Sequence, residues 1–138
     1  MKHYNVVAAV VCHDGKYLCM QKGKTKFEYT SYKWEFPGGK IEPGETPRQA
    51  LARELMEEME YPVEVGEELV TVNHEYPDFS ITMTAFLCTP KGDADGFKRR
   101  EHADSKWCSQ DELKGLDWAA ADVGVVECIL QYISLSCR

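Results

Sequence analysis

Three glutamates close together on one predicted helix are the residues of this sequence best suited to chemistry. At 3.6 residues per turn, Glu54, Glu57 and Glu58 fall on one flank of the helix, and its other flank is apolar. Like charges at this spacing repel by about 0.2–0.5 kcal/mol per exposed pair, so a cation should offset them. Arg53 lies one turn before Glu57 and can bind one carboxylate, and the remaining oxygens suit a hard divalent cation, above all Mg²⁺.

The residues just before this helix help to decide between a metal site and a solvated acidic face, which is what most glutamate-rich helices are. Gly38 and Gly39 follow a short apolar strand, and glycine lets a backbone carbonyl approach a metal ion or a phosphate closely. Gly44 and Glu45 then turn the chain into the helix. Two glycines, a turn and an acidic helix in this order favour the metal site.

Capping sequences predict where the helices begin and end. Thr46, Pro47 and Gln49 form a capping box with proline at the first helical position, so the acidic helix begins there. The helix runs to about Met59, because Pro62 prevents its continuation much beyond residue 60. The other two predicted helices are a short one opened by the capping box at residues 109–112 and an apolar-periodic one at residues 123–135.

Apolar and alternating runs predict the strands. Asp14 and Gly15 separate the first two runs, and this pair favours a tight hairpin because both residues tolerate positive φ. Strands mixed with helices in a chain of this length predict one domain, residues 1–138, of the α/β class with a mixed sheet between helices. The predicted strands are residues 6–12, 16–21, 69–76, 79–89 and 106–108.

The composition excludes several classes of protein. Lys and Arg number 16 against 23 for Asp and Glu, and a net charge of −7 argues against binding a nucleic acid polymer. No apolar run approaches the roughly 18 residues that span a membrane, and the first residues lack a secretory signal pattern. We therefore expect a cytoplasmic protein with no membrane partner, whose six cysteines are reduced and mostly buried thiols.

The acidic helix and the loop before it resemble the signature of the Nudix hydrolases, Gx5Ex7REUxEExGU, where U is aliphatic. Seven of the nine defined positions match, from Gly39 through Glu45 to the segment at residues 53–58. Glu60 replaces the last glycine, and Tyr61 replaces the final aliphatic residue. That glycine ends the helix in a left-handed conformation, which costs another residue about 1 kcal/mol, so Glu60 should alter the helix exit without removing a ligand.

The resemblance implies a Nudix-type α/β/α sandwich and Mg²⁺-dependent hydrolysis of a phosphoanhydride bond, with Mn²⁺ able to substitute. Residues 34–42 and 75–78 are similar to MutT-type nucleoside triphosphate pyrophosphohydrolases, and residues 107–109 with 121–122 are similar to the CTP pyrophosphohydrolase branch. It therefore implies that a nucleotide is cut to a nucleoside monophosphate and pyrophosphate. The candidate substrates are an oxidised nucleotide such as 8-oxo-dGTP, and CTP or a modified dCTP.

The resemblance also implies roles for individual residues of the catalytic half. Arg53 would orient a carboxylate, and Gly39 and Glu45 would support the loop. His102 is a rival to its neighbour Glu101 as the general base, and the alternative for both is an exposed loop pair with no role. The implied metal ligands are the Gly38 carbonyl and the side chains of Glu54, Glu57, Glu58 and Glu101.

Base recognition rests on fewer residues. Asp122 falls where relatives place a polar residue that reads the nucleobase edge, but its type and position suit a helix cap equally well. Phe36 and Tyr76 either stack on a base or belong to the core, and Lys22 either contacts phosphate or is solvated.

Other functions stay open at this point. Tyr76 and Pro77 lie where ADP-ribose and dinucleoside polyphosphate hydrolases carry a marker residue, but MutT-type enzymes can carry a proline there too. A non-catalytic nucleotide-sensing module is another class, and an acidic interaction protein is a third. The oligomeric state is expected to be a monomer or a homodimer.

Overall fold

The computed structural model describes residues 1–132 and confirms a mixed sheet between helices. Every predicted strand and helix is present, including the short strand before Gly38, and a short strand at Gly38–Lys40 is additional. The strands are β1 (Lys2–His13), β2 (Lys16–Lys22), β3 (Trp34–Glu35), β4 (Gly38–Lys40), β5 (Val63–Glu75), β6 (Phe79–Pro90) and β7 (His102–Cys108). The helices are α1 (Pro47–Met59), α2 (Gln110–Leu113) and α3 (Ala120–Tyr132).

Strand β1 organises the sheet because it pairs with three other strands. It runs parallel to β6 along most of its length and antiparallel to β4 at Val6 to Ala8. At its far end it forms the predicted hairpin with β2, turned by Asp14 and Gly15, both with positive φ. Strands β3 and β7 then pair with β2, and β5 pairs with β6. One edge of β1 is therefore paired with β6, and the other edge is paired with β4 and then with β2.

The two faces of the sheet carry separate apolar cores. Residues 7–11 of β1 are all buried, and they alternate between the faces. On one face Val7 packs with Leu51 and Leu55 of α1, and on the other Val10 packs with Ile129 of α3. The sheet therefore lies between two helices, which confirms the α/β/α sandwich.

The helix boundaries follow the capping signals. Helix α1 has both reciprocal hydrogen bonds of the Thr46 capping box, and α2 has the same pair at Ser109. Glu60 caps the C-terminus of α1 in the left-handed conformation, with φ 48°. Helix α3 begins at Ala120, three residues before the predicted start, and its predicted end at residue 135 lies outside the described residues.

Four cysteines match the expected reduced state. Cys19, Cys88 and Cys108 are buried free thiols, and Cys128 is a half-buried one. The expectation is wrong for Cys12, which is disulfide-bonded, and Cys137 lies outside the described residues. Sulfur pairing depends on which parts of the fold meet, and cysteine spacing in a sequence does not reveal that.

Within residues 1–132, no helix is long and apolar enough to cross a membrane.

Strand pairing leaves no room for a side chain at Gly38, and a substitution can test this. A Cβ added there would overlap the backbone carbonyl oxygen of Val7 in the β1–β4 pair, and neither strand can yield without losing its register. We expect Gly38→Ala to lower the free energy of unfolding by about 1–3 kcal/mol, measured by urea denaturation. Gly23→Ala is the matched control, because a Cβ at Gly23 meets no atom within 4 Å. Equal stability of the two variants would contradict this packing.

Candidate active site

Arg53 connects the acids of α1 to the loop that precedes the helix. Its guanidinium donates two hydrogen bonds to Glu45, at 2.6 and 2.9 Å, and one to the Lys40 carbonyl oxygen at 3.0 Å. It also donates to Glu54 at 3.0 Å and to Glu57 at 3.1 Å. Only 20% of its side chain is exposed, and Glu45 is the main cause of its raised pKa. Arg53 therefore fixes the loop and two carboxylates together.

Glu45 braces the same loop from inside. Its carboxylate accepts the backbone N–H of Glu42 at 2.8 Å as well as the two bonds from Arg53. Those bonds, led by the one from Arg53, lower the pKa of Glu45. Its carboxylate is thus fully engaged in holding the loop to Arg53, which suits the supporting role that the sequence suggests.

The three acids of α1 occupy different environments. Glu57 is 61% exposed, whereas Glu54 is 12% exposed and Glu58 is half-buried. Burial is the largest cause of the raised pKa of Glu58, about 8, and the charges of Glu101, Glu54 and Glu35 add to it. The carboxyl group of Glu54 acts on Glu58 and raises its pKa. Glu58 thus lies where negative charge is crowded and poorly hydrated.

Glu35 is the site residue that sequence reasoning missed. It lies on β3 and accepts a hydrogen bond from His102 at 3.0 Å, while Lys22 pairs with it at 3.5 Å. Its charge raises the pKa of both Glu58 and Asp122. Residues 22 and 35 meet because β2 pairs with β3, and no local sequence signal indicates that pairing.

Glu101 and His102 are neighbours in sequence but differ in their exposure and in how they interact with the acidic cluster. Glu101 precedes β7, is exposed, and acts on Glu58 through its charge. His102 is turned inward, with 6% of its side chain exposed, and its Nε2 contacts Glu35. The exposed-pair alternative is therefore wrong for His102.

The glycine loop lies against these acids. A Cβ at Gly39 would overlap the Glu54 carboxyl group, so only glycine permits this approach. In the described part of the chain, no three His, Cys, Asp or Glu side chains converge into a ready-made metal centre. The donor chemistry nevertheless fits a hard cation, because carboxylate oxygens dominate and the crowding at Glu58 is relieved by positive charge.

One cavity of about 790 Å³ extends from the glycine loop to the start of α3. That size is within the range of pockets that enclose a nucleotide-sized ligand. Its wall includes Gly38 and Gly39 near the acids and Asp122 at the other end, with Lys22 and Glu35 also in the lining. Lys22 lines the cavity and pairs with Glu35 at 3.5 Å, with 31% of its side chain exposed.

Asp122 lies deep in the cavity wall, with 2% of its surface exposed. It is inside the first turn of α3, and its Oδ1 accepts the backbone N–H of Phe36 at 2.9 Å, so it is not the helix cap. Burial raises the pKa of Asp122 to about 8, and the charge of Glu35 adds to that. At neutral pH its carboxyl group therefore carries a proton and can both donate and accept a hydrogen bond.

The two aromatic candidates belong to the core and also line the cavity. Phe36 is stacked on Trp118 with ring centroids 4.8 Å apart. Tyr76 stacks on Phe79, and its hydroxyl accepts the backbone N–H of Ala121 at 3.1 Å. Both rings are fixed in place before any ligand binds.

Comparisons with known proteins agree with this geometry. Residues 1–127 match the family described as the NUDIX domain. The chain is 36% identical over 131 residues to the CTP pyrophosphohydrolase of Escherichia coli K12, which covers 94% of this chain and 93% of that protein. It is 41% identical over 88 residues to an 8-oxo-dGTP diphosphatase of Proteus vulgaris, covering 64% of this chain and 78% of that protein. The solution structure of the E. coli ORF135 protein aligns with a TM-score of 0.80 and 33% identity, covering 99% of this chain and 94% of that one.

The raised pKa of Asp122 predicts a pH-dependent stability. Between the ordinary aspartate pKa of about 4 and the folded value of about 8, the folded state keeps a proton that the unfolded state has released. Raising the pH across this window therefore favours unfolding. The side chain of Asp122→Asn does not titrate. We therefore expect the melting temperature of this variant, minus that of the wild type, to increase as the pH rises and to level off above pH 8 or so.

Thermal melts at a series of pH values test this expectation. Asp111→Asn is the control, because the Asp111 side chain is almost fully exposed and its replacement should give a nearly constant difference. A pH-independent difference for Asp122→Asn would show that the carboxyl group titrates normally.

Proposed function

Because the chain belongs to the Nudix hydrolase family, whose named relatives hydrolyse phosphoanhydride bonds, we propose that it is a Mg²⁺-dependent nucleoside triphosphate pyrophosphohydrolase. Its products would be a nucleoside monophosphate and pyrophosphate. The observation that carries the proposal is one continuous cavity, which joins the glycine loop beside the acidic cluster to a buried carboxyl group at the far end. A nucleotide presents the same two chemistries, a polyphosphate and a hydrogen-bonding base.

The proposed metal ligands are the side chains around Glu58. Glu54, Glu57, Glu58 and Glu101 would supply carboxylate oxygens, and Gly38 would supply its carbonyl. Bound Mg²⁺, or Mn²⁺ in its place, neutralises the polyphosphate and lowers the pKa of bound water. A cation in this position also explains how a protein of net charge −7 binds a polyanion.

The chain's own residues then have separate tasks. Arg53 keeps Glu54 and Glu57 oriented toward the loop through its five hydrogen bonds. Glu101, exposed beside the cluster, would serve either as a metal ligand or as the general base. His102 is the weaker candidate, because its Nε2 is engaged by Glu35 and its side chain is buried.

Asp122 is proposed to read the base. One of its oxygens is taken by the Phe36 N–H, which leaves the other to face the ligand. In its protonated form that oxygen donates to a carbonyl, as on an oxidised guanine, and in its ionised form it accepts from an amine such as cytosine N4. The relatives named for CTP and for 8-oxo-dGTP support these two base classes.

The remaining expectations belong to the same proposal. The protein would act as one Nudix domain over residues 1–138, in the cytoplasm, on free nucleotides and not on a nucleic acid polymer. It would do so as a monomer or a homodimer.

A substrate panel tests the proposal directly. Pyrophosphate release would be measured with Mg²⁺ on the eight standard nucleotides, 8-oxo-dGTP, 5-methyl-dCTP, ADP-ribose and diadenosine tetraphosphate. We expect turnover of a triphosphate, and a fall of about 100-fold in kcat with Glu57→Gln, in line with the loss of a metal-site group. Glu64→Gln, which removes an exposed acid on β5, should leave the rate unchanged.

The other outcomes identify the alternatives. Release from ADP-ribose or diadenosine tetraphosphate alone would replace the substrate class. Magnesium-dependent stabilisation without turnover of any compound would indicate a nucleotide-sensing module. Neither stabilisation nor turnover would leave an acidic face with no metal role.

A further inference from the structure

The residue that departs from the family signature, Glu60, occupies a backbone conformation that favours glycine. It caps α1 with φ 48° and ψ 43°, in the left-handed region. A residue with a side chain is disfavoured there, and it persists only where its surroundings compensate. The compensation must come from contacts of the Glu60 side chain, since its backbone N–H would make the same hydrogen bonds in glycine.

The Glu60 carboxylate binds two cations from one segment of the chain. It pairs with the Arg100 guanidinium and, at 3.0 Å, with the Lys98 ammonium group. The same segment also contacts the helix end directly. Lys98 donates its backbone N–H to the Met59 carbonyl at 2.8 Å, and Arg100 donates to the Glu57 carbonyl at 3.2 Å.

Electrostatics explains why the cations come from outside the helix. The C-terminal end of a helix carries partial negative charge, and α1 adds acids there with no basic residue in its last turn. Lys98 and Arg100 supply the missing positive charge. Arg99, between them, is directed elsewhere, to Ala103 and Asp104.

We propose that Glu60 is a positioning residue: through Arg100 it docks residues 98–101 on the end of α1 and so sets the place of Glu101 beside Glu54 and Glu58. Glu101 directly follows Arg100 and is itself exposed, so the Glu60–Arg100 pair is the nearest fixed point on its N-terminal side. On its C-terminal side, the chain is fixed by His102, which pairs with Lys22 across the sheet and contacts Glu35. This inference rests on the proposed role of Glu101 at the metal site.

Glu60→Gly separates this role from stability. The change restores the residue that suits the backbone, so the melting temperature should stay equal or rise. We expect hydrogen exchange of the Lys98 amide, which donates to the Met59 carbonyl, to accelerate at least fivefold or so in the metal-free protein as local opening becomes easier. We also expect Mn²⁺ affinity and kcat each to fall about 10-fold, as for the loss of an outer-shell support, with KM for the nucleotide unchanged.

Arg100→Gln should reproduce these changes, and the double variant should be no worse than either single one. Glu60→Lys combined with Arg100→Glu, which reverses the pair, should restore part of the exchange protection and of kcat. Lys114→Gln is the control for losing one exposed cation, because the Lys114 ammonium group pairs with Asp111 on α2, away from α1.

Two results would overturn the proposal. One is Glu60→Gly with unchanged exchange, Mn²⁺ affinity and kcat. The other is Arg100→Gln raising KM for the nucleotide while Glu60→Gly does not, which would make Arg100 a phosphate contact. Hydrogen exchange is measured without substrate, so failure of the proposed activity would be seen separately, as absence of turnover in the wild type with docking intact.

Discussion

Repulsion among carboxylates is the constraint on which the rest of this structure depends. Helix α1 brings several acids to one end and one flank, and the helix has no basic residue in its last turn. Compensation therefore comes from other directions: Arg53 on the loop side, and Lys98 and Arg100 at the helix end. Each of these ion pairs also holds a segment of the chain in place. The same contacts therefore offset the negative charge of the site and set its shape.

Arg53 does not offset all of the repulsion among the acids of α1. The excess negative charge lies around Glu58. Glu58 has a raised pKa because burial and neighbouring acids disfavour its ionised form. Asp122 has a raised pKa at the opposite end of the cavity, chiefly through burial. Glu35 acts on both groups through its charge. Glu35, which lines the cavity, thus links the acids of α1 to Asp122 electrostatically.

The fold could be predicted largely from local signals. The capping box at Thr46, the Asp14-Gly15 turn and the buried run of β1 each depend on neighbours in sequence, and each is present in the structure. The predicted start of α3, at residue 123, is later than the observed start at Ala120. The first turn carries small residues and Asp122, which is buried because it accepts a hydrogen bond from the distant Phe36 backbone. The expected reduced state is also wrong for Cys12, because disulfide bonding depends on which cysteines the fold brings together.

The acidic helix, the glycine loop and their order follow from local sequence, because helical period and glycine geometry act over a few residues. Three contacts instead depend on how the elements pack: His102 faces Glu35, Asp122 binds the Phe36 backbone and does not cap a helix, and Glu60 meets Arg100. These contacts join residues 40 to 86 positions apart. Their partners are chosen by strand pairing around β1 and by burial, which no local pattern encodes.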